Sequence, residues 1–281
     1  MTSTTARISI PSSPQDTSLR RLLRGALAFA AAAATLLLMN IPRRAFGSEA
    51  PKANHFDSHG VTLQYTVEGE GPPVILIHGL YSSGQMNWRA PGITRDLAKH
   101  YQVITLDVRG HGGSDKPTEE SAYGIELVED VVRLMDHLKI QKAHIVGYSM
   151  GGMITMKLLT RHPQRVQSAI VGGMGWFRQG SPLQEIWHNM PERNVRSTPP
   201  ACARSLGALA VTDDEVKAIH LPVTVVVGDR DPVRSLYVVP LQQLRPDWKV
   251  TMIEDVGHIN CIIKPQFREA ISSWLASQKG P

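Results

Sequence analysis

Ser149 stands in Gly147-Tyr148-Ser149-Met150-Gly151, a serine with a glycine two residues to either side. A strand-like run, Ala143–Val146, precedes it and a helical pattern, Met150–Arg161, follows. Glycines at those positions let the backbone turn sharply and project the hydroxyl, while the following helix directs its free N–H groups and dipole at the same point. Such a site suits a reaction in which the hydroxyl attacks and negative charge develops beside it. A hydroxyl is a poor nucleophile at neutral pH, so it needs a base. Two candidates for its partners lie downstream. The run Val223–Val227 ends in Gly228-Asp229-Arg230-Asp231, and Lys249–Ile253 is followed by Glu254-Asp255-Val256-Gly257-His258. The order is serine, aspartate, histidine, each just past the end of a strand, and the acid is Asp229 or Asp231. The chemistry implied is acyl transfer through a serine.

These residues need a scaffold that brings distant strand ends together. His55–Ser58 and Val61–Val67 read as an antiparallel hairpin. Pro73–Ile77 is a continuous apolar run, which marks a strand buried on both faces. Strands over Gln102–Leu106, Ala143–Val146, Val166–Val171, Val223–Val227 and Lys249–Ile253 alternate with helices over Ile93–Lys99, Ile125–Leu138, Met150–Arg161 and Phe267–Ser277. This alternation predicts an α/β fold with a mostly parallel, eight-stranded sheet and helices on both faces. In such sheets functional residues gather at the carboxyl ends of the strands.

Two further motifs complete a pattern. His78-Gly79-Leu80-Tyr81 follows the first buried strand, and Asp107-Val108-Arg109-Gly110-His111-Gly112-Gly113-Ser114 follows the next. With the serine turn and the Asp–His pair, they make the chain after residue 53 resemble the α/β-hydrolase fold enzymes of the single-domain esterase and lipase type. The resemblance implies Ser149 as nucleophile, His258 as base and then acid, and Asp231 as the orienting acid, because that family places its acid three residues after the glycine. It also implies an oxyanion hole formed by the backbone N–H groups of Leu80 and Met150. Tyr81, Tyr148, Trp176, Phe177 and Trp187 become candidates for the substrate pocket. His78, Asp107, Arg109, His111 and Ser114 are expected to tie loops together behind the turn.

A serine at 149 argues against the dehalogenases and epoxide hydrolases of this fold, which carry an aspartate there. Hydrolysis of small or medium carboxylic esters is the first expectation. A thioesterase, a peracid-forming esterase and a C–C bond hydrolase use the same triad, and a ligand-binding receptor of the same fold is the non-enzymatic alternative. The segment between Phe177 and Ser205 reads as a short lid, too short for the large helical cap expected of the C–C hydrolases. Thr212-Asp213-Asp214-Glu215 reads as a capping box. Cys202 and Cys261 are open between a bridge and two free thiols. No Cys/His cluster has metal spacing, and this chemistry requires neither metal nor cofactor.

The 281 residues carry a formal net charge of +5, yet the excess is local. Residues 1–47 hold six of the 30 Lys and Arg and one of the 25 Asp and Glu, leaving 24 of each sign in the remainder. Nucleic acid therefore loses its support as a partner, and a small acyl compound remains. Arg20, Arg21 and Arg24 precede an uncharged Ala/Leu-rich stretch, Gly25–Met39, and then Ala45-Phe46-Gly47. That arrangement predicts an export signal over 1–47, or an anchor if it is retained, the only expected membrane contact. Residues 48–281 form the predicted hydrolase domain, working in the periplasm or outside the cell. The oligomeric state is not legible in the sequence.

Overall fold

The computed structural model describes residues 51–189, 195 and 197–278. Of the two compact units into which the chain divides, Met1–Met39 and Asn40–Pro281, the first falls wholly outside them, and so does the expected export signal. Eight strands form one sheet: β1 (Asn54–Asp57), β2 (Thr62–Glu68), β3 (Pro73–Ile77), β4 (Gln102–Leu106), β5 (Ala143–Tyr148), β6 (Val166–Gly172), β7 (Val223–Gly228) and β8 (Lys249–Ile253). Their spatial order is β1-β2-β4-β3-β5-β6-β7-β8. β1 pairs antiparallel with β2 and β2 with β4; all other neighbours are parallel.

Burial explains the strand patterns. β5 and β7 are buried at every residue and β3 at all but its first, which is why they read as unbroken apolar runs. β8 closes one edge, with Met252 half exposed. The main helices are α1 (Ile93–Leu97), α2 (Glu126–His137), α3 (Met150–Arg161), α4 (Pro182–His188), α5 (Pro200–Ser205), α6 (Asp213–Lys217), α7 (Val239–Leu244), α8 (His258–Cys261) and α9 (Pro265–Ser277). α1 and α9 share one core: Ile93 and Leu97 pack in the same cluster as Phe267, Ile271 and Leu275. The step from β3 to β4 runs one way across the sheet, whereas the steps from β4 to β8 run the other. With right-handed crossovers that reversal puts α2 and α3 on the opposite face. α3 is buried at ten of its twelve residues, so it lies inside the molecule rather than on its skin.

The strand order reverses between β3 and β5. Loops leaving these neighbours diverge to opposite faces and open a crevice at their carboxyl ends. His78–Tyr81 leaves β3 and Ser149 leaves β5, so the reversal brings the two motifs together.

The segment read as a lid holds α4 and α5 among its described residues, each starting with a proline at the first helical position. Its return is pinned from the interior. Lys157 on α3 donates to the Ala210 carbonyl at 3.1 Å and to Glu215 at 3.2 Å. Glu215 also closes the capping box with Thr212 at the start of α6, as the sequence predicts. Cys202 and Cys261 are separate, buried thiols. Among the described residues no helix is long and apolar enough to cross a membrane.

Candidate active site

The serine turn depends on two close backbone approaches. A Cβ on Gly147 would collide with the Gly151 carbonyl, and one on Gly151 with the Ile77 carbonyl. Glycine at both positions lets α3 start directly against β3. Ser149 pays in backbone strain, with φ 56° and ψ −116°. Its N–H donates to the Gly172 carbonyl at 2.8 Å, and its own carbonyl accepts from Gly152 and Met153. The turn is thus held on both sides, and the hydroxyl projects into the crevice.

Three strand ends supply a connected chain of polar atoms. Ser149 Oγ lies 2.9 Å from His258 Nε2, and His258 Nδ1 lies 2.8 Å from Asp231 Oδ2. Asp231 is 3% exposed, and its other oxygen accepts from the Val233 N–H at 2.9 Å. The competing acid, Asp229, faces elsewhere. Its carboxylate accepts from the Val256 N–H at 3.1 Å, and the N–H groups of Asp255 and Val256 hold it below the usual carboxylate range. Asp229 therefore braces the loop that carries His258, while Asp231 meets the imidazole.

The loop after β3 lies against this constellation. A Cβ on Gly79 would stand 3.2 Å from the Ser149 Cβ. His78, fully buried, places its Nδ1 2.8 Å from the Gly79 carbonyl and accepts the Val108 N–H on Nε2 at 3.0 Å. Acceptance at Nε2 requires Nδ1 to carry the proton. The Gly79 carbonyl is pinned toward the interior, and the Leu80 N–H of the same trans peptide points the other way. Asn87 Oδ1 accepts the Gly79 N–H at 2.8 Å and fixes the preceding peptide, between His78 and Gly79. Among the described residues neither the Leu80 nor the Met150 N–H has a hydrogen-bond partner. Tyr81, next in the loop, has φ 60° and is buried.

Behind this loop the Asp107–Ser114 turn works as expected. Asp107 accepts from the N–H groups of Gly84 at 2.8 Å and Gly113 at 2.9 Å, and Ser114 accepts the Gln64 N–H at 2.9 Å. Arg109 forms a buried pair with Asp130 on α2. His111 stacks edge-on against His78 with ring centres 5.1 Å apart, and burial together with His78 lowers its pKa to about 3.

The five pocket candidates separate. Tyr148 does not face the crevice: its hydroxyl donates to the His258 backbone carbonyl and its ring packs on the imidazole. Burial pushes that hydroxyl well above its usual pKa, which keeps it a donor. Trp176 is buried, with Nε1 donating to the Val211 carbonyl at 3.0 Å, a packing position at the base of the lid. Phe177 is buried edge-on to Tyr237, with ring centres 6.1 Å apart. Trp187, half-buried on α4, meets the same tyrosine's hydroxyl. Asn87 carries no signal in the sequence, because a lone asparagine eight residues beyond its partner matches no motif. Among the described residues no group of three or more His, Cys, Asp or Glu could hold a metal ion.

A family model described as alpha/beta hydrolase fold matches residues 72–213. The chain is 34% identical over 118 residues to an uncharacterised protein of Mycobacterium tuberculosis, a match over 42% of this chain that spans only 33% of that protein's length. It is 26% identical over 255 residues to 3-oxoadipate enol-lactonase 1 of Acinetobacter baylyi, covering 78% of this chain and 94% of the relative. Among solved structures, the enol-lactonase from Burkholderia xenovorans LB400 superposes with a TM-score of 0.65 at 25% identity, covering 79% of this chain and all of that one.

Proposed function

The chain belongs to the alpha/beta hydrolase fold family, and from that premise we propose that it is a serine hydrolase cleaving carboxylic esters of small or medium acyl compounds. The observation that carries this reading is the unbroken hydrogen-bonded chain from Ser149 through His258 to Asp231, at 2.9 and 2.8 Å. In the proposed reaction His258 Nε2 takes the Ser149 proton as Oγ attacks the ester carbonyl. Asp231 holds the imidazole in the required tautomer and stabilises the cation that forms. The oxyanion accepts from the Leu80 and Met150 N–H groups, with the α3 dipole behind the second. His258 then protonates the leaving alcohol. In the second half it deprotonates water as the water oxygen bonds to the acyl carbon; the acyl–Oγ bond then breaks, His258 returns the proton to Ser149 Oγ, and the acid leaves.

An ester is favoured over a carbon–carbon bond by two observations. The relative matched over 94% of its length is named an enol-lactonase, and a lactone is a cyclic ester opened by the same acyl transfer. The described part of the lid holds only two short helices, of seven and six residues.

Labelling with a fluorophosphonate tests the reading. Wild-type protein is expected to label stoichiometrically at Ser149 and Ser149→Ala not at all, with ester and lactone hydrolysis falling by roughly 10⁶-fold. Folded wild-type protein that fails to label would sink the proposal. Turnover of thioesters alone, in a panel of esters, lactones and thioesters, would replace the esterase with a thioesterase.

A further inference from the structure

β5 ends on Tyr148, and the alternation of the strand sends its side chain to the other side of the backbone from Ser149. The ring runs past β6 through a gap that side chains would close. A Cβ on Gly172 would lie 3.0 Å from Tyr148 Cδ2, and one on Gly173, where φ is +53°, 2.7 Å from Cζ. Beyond the gap the ring meets Phe267 edge-on with centres 5.5 Å apart. It then lies against the His258 imidazole at 5.3 Å and a 36° tilt. Its hydroxyl reaches the His258 carbonyl, 110 residues away in sequence. Adjacent residues therefore hold one histidine from two sides, Ser149 at Nε2 and Tyr148 at the main chain.

His258 needs that second hold. It opens the single-turn helix α8 after the edge strand β8, a much less buried setting than the serine turn. Pivoting of the imidazole about its bond to Asp231 would swing Nε2 off the line to Oγ, and the Tyr148 ring packed against it opposes that motion. We infer that Tyr148 is a positioning residue of the triad, fixing the main chain and ring plane of His258 so that Nε2 stays aligned with Ser149 through the proton transfers of both half-reactions. The inference rests on the serine-hydrolase reading. It assigns a mechanical role to the variable position of the G-x-S-x-G turn.

The test compares kcat and KM for p-nitrophenyl acetate hydrolysis, together with fluorophosphonate labelling rates, in wild type, Tyr148→Phe, His258→Ala and the double variant. Tyr148→Phe is expected to lower kcat about tenfold, since sub-ångström misplacement of a reacting group costs rate rather than binding, with KM within about twofold. Added to His258→Ala, it is expected to change the labelling rate by less than about twofold, because the residue it acts through has gone. Gly173→Ala, which displaces the ring but keeps the hydroxyl, should lower kcat in the same direction. An unchanged kcat in Tyr148→Phe, or equal losses in both backgrounds, would overturn the positioning role while wild-type labelling at Ser149 stayed intact. Absence of wild-type labelling would overturn the parent reading and this inference with it.

Discussion

At the scale of single residues, the site is a set of side chains whose neighbours leave them one useful orientation. Asp229 and Asp231 show this most sharply. Both follow β7, both are carboxylates, and sequence order alone does not separate them. The backbone does: Asp229 turns to the N–H groups of the His258 loop, and Asp231 turns inward to His258 Nδ1 and the Val233 N–H. Under the proposed mechanism Asp231→Asn should lower kcat by about 10⁴-fold, because the amide no longer enforces the productive tautomer. Asp229→Asn keeps an oxygen for the Val256 N–H and should stay within a few-fold of wild type. Steady-state kinetics on both variants checks the assignment; a large loss from Asp229→Asn and a small one from Asp231→Asn would reverse it.

At the scale of elements, the molecule joins its chemical loops to its helices through buried polar ties. Asp130 on α2 is fully buried between Arg109 and Arg133, and it accepts the Ser58 hydroxyl from the β1–β2 turn at 2.6 Å. Asp130→Ala would strip the buried Arg109 guanidinium of its two-point carboxylate partner, leaving it the Ala122 carbonyl at 2.6 Å and Glu126 at 3.8 Å. The expected loss is about 3–5 kcal/mol of unfolding free energy, read from urea denaturation, with Arg133 still partnered by Glu126. Sequence patterning reveals elements in proportion to how plainly burial writes itself into residue type. β3 and β7 are legible because both faces are covered, and α2 because Leu127, Val131, Leu134 and Met135 repeat at helical spacing. The helical turns Gln85–Arg89 and Arg234–Val238 are not legible, being five residues long with a single apolar stripe at most. α4, α5 and α7 hide behind prolines that look like breakers and instead occupy first-turn positions. Among the site residues, Ser149 and His258 stand in motifs of their own. Asn87 and the carbonyl contact of Tyr148 arise from packing between distant segments, which no local pattern records.

At the scale of the whole molecule, the buried histidines set an acid limit. His111, with its pKa lowered to about 3, and His78, lowered by burial, stay neutral in the fold. In the unfolded chain histidines take up protons near pH 6.5. Between pH 6.5 and about 3 the unfolded state therefore binds more protons, and stability falls as pH drops through that window. Replacing His111 by Gln should make this decline shallower, measured as urea midpoints between pH 4 and 7. An unchanged slope would count against the buried neutral histidine. A different consequence follows from the common direction of β3 to β8. Every loop that meets the serine leaves the carboxyl ends of these strands, and the opposite rim carries none of that chemistry. The exposed Lys142 and Ser149 bracket β5, a span of about 20 Å at ~3.3 Å per residue. The molecule thus has a working end and a handle: a tether or fusion attached at the turn before β5 would leave the crevice facing outward, open to whatever diffuses past.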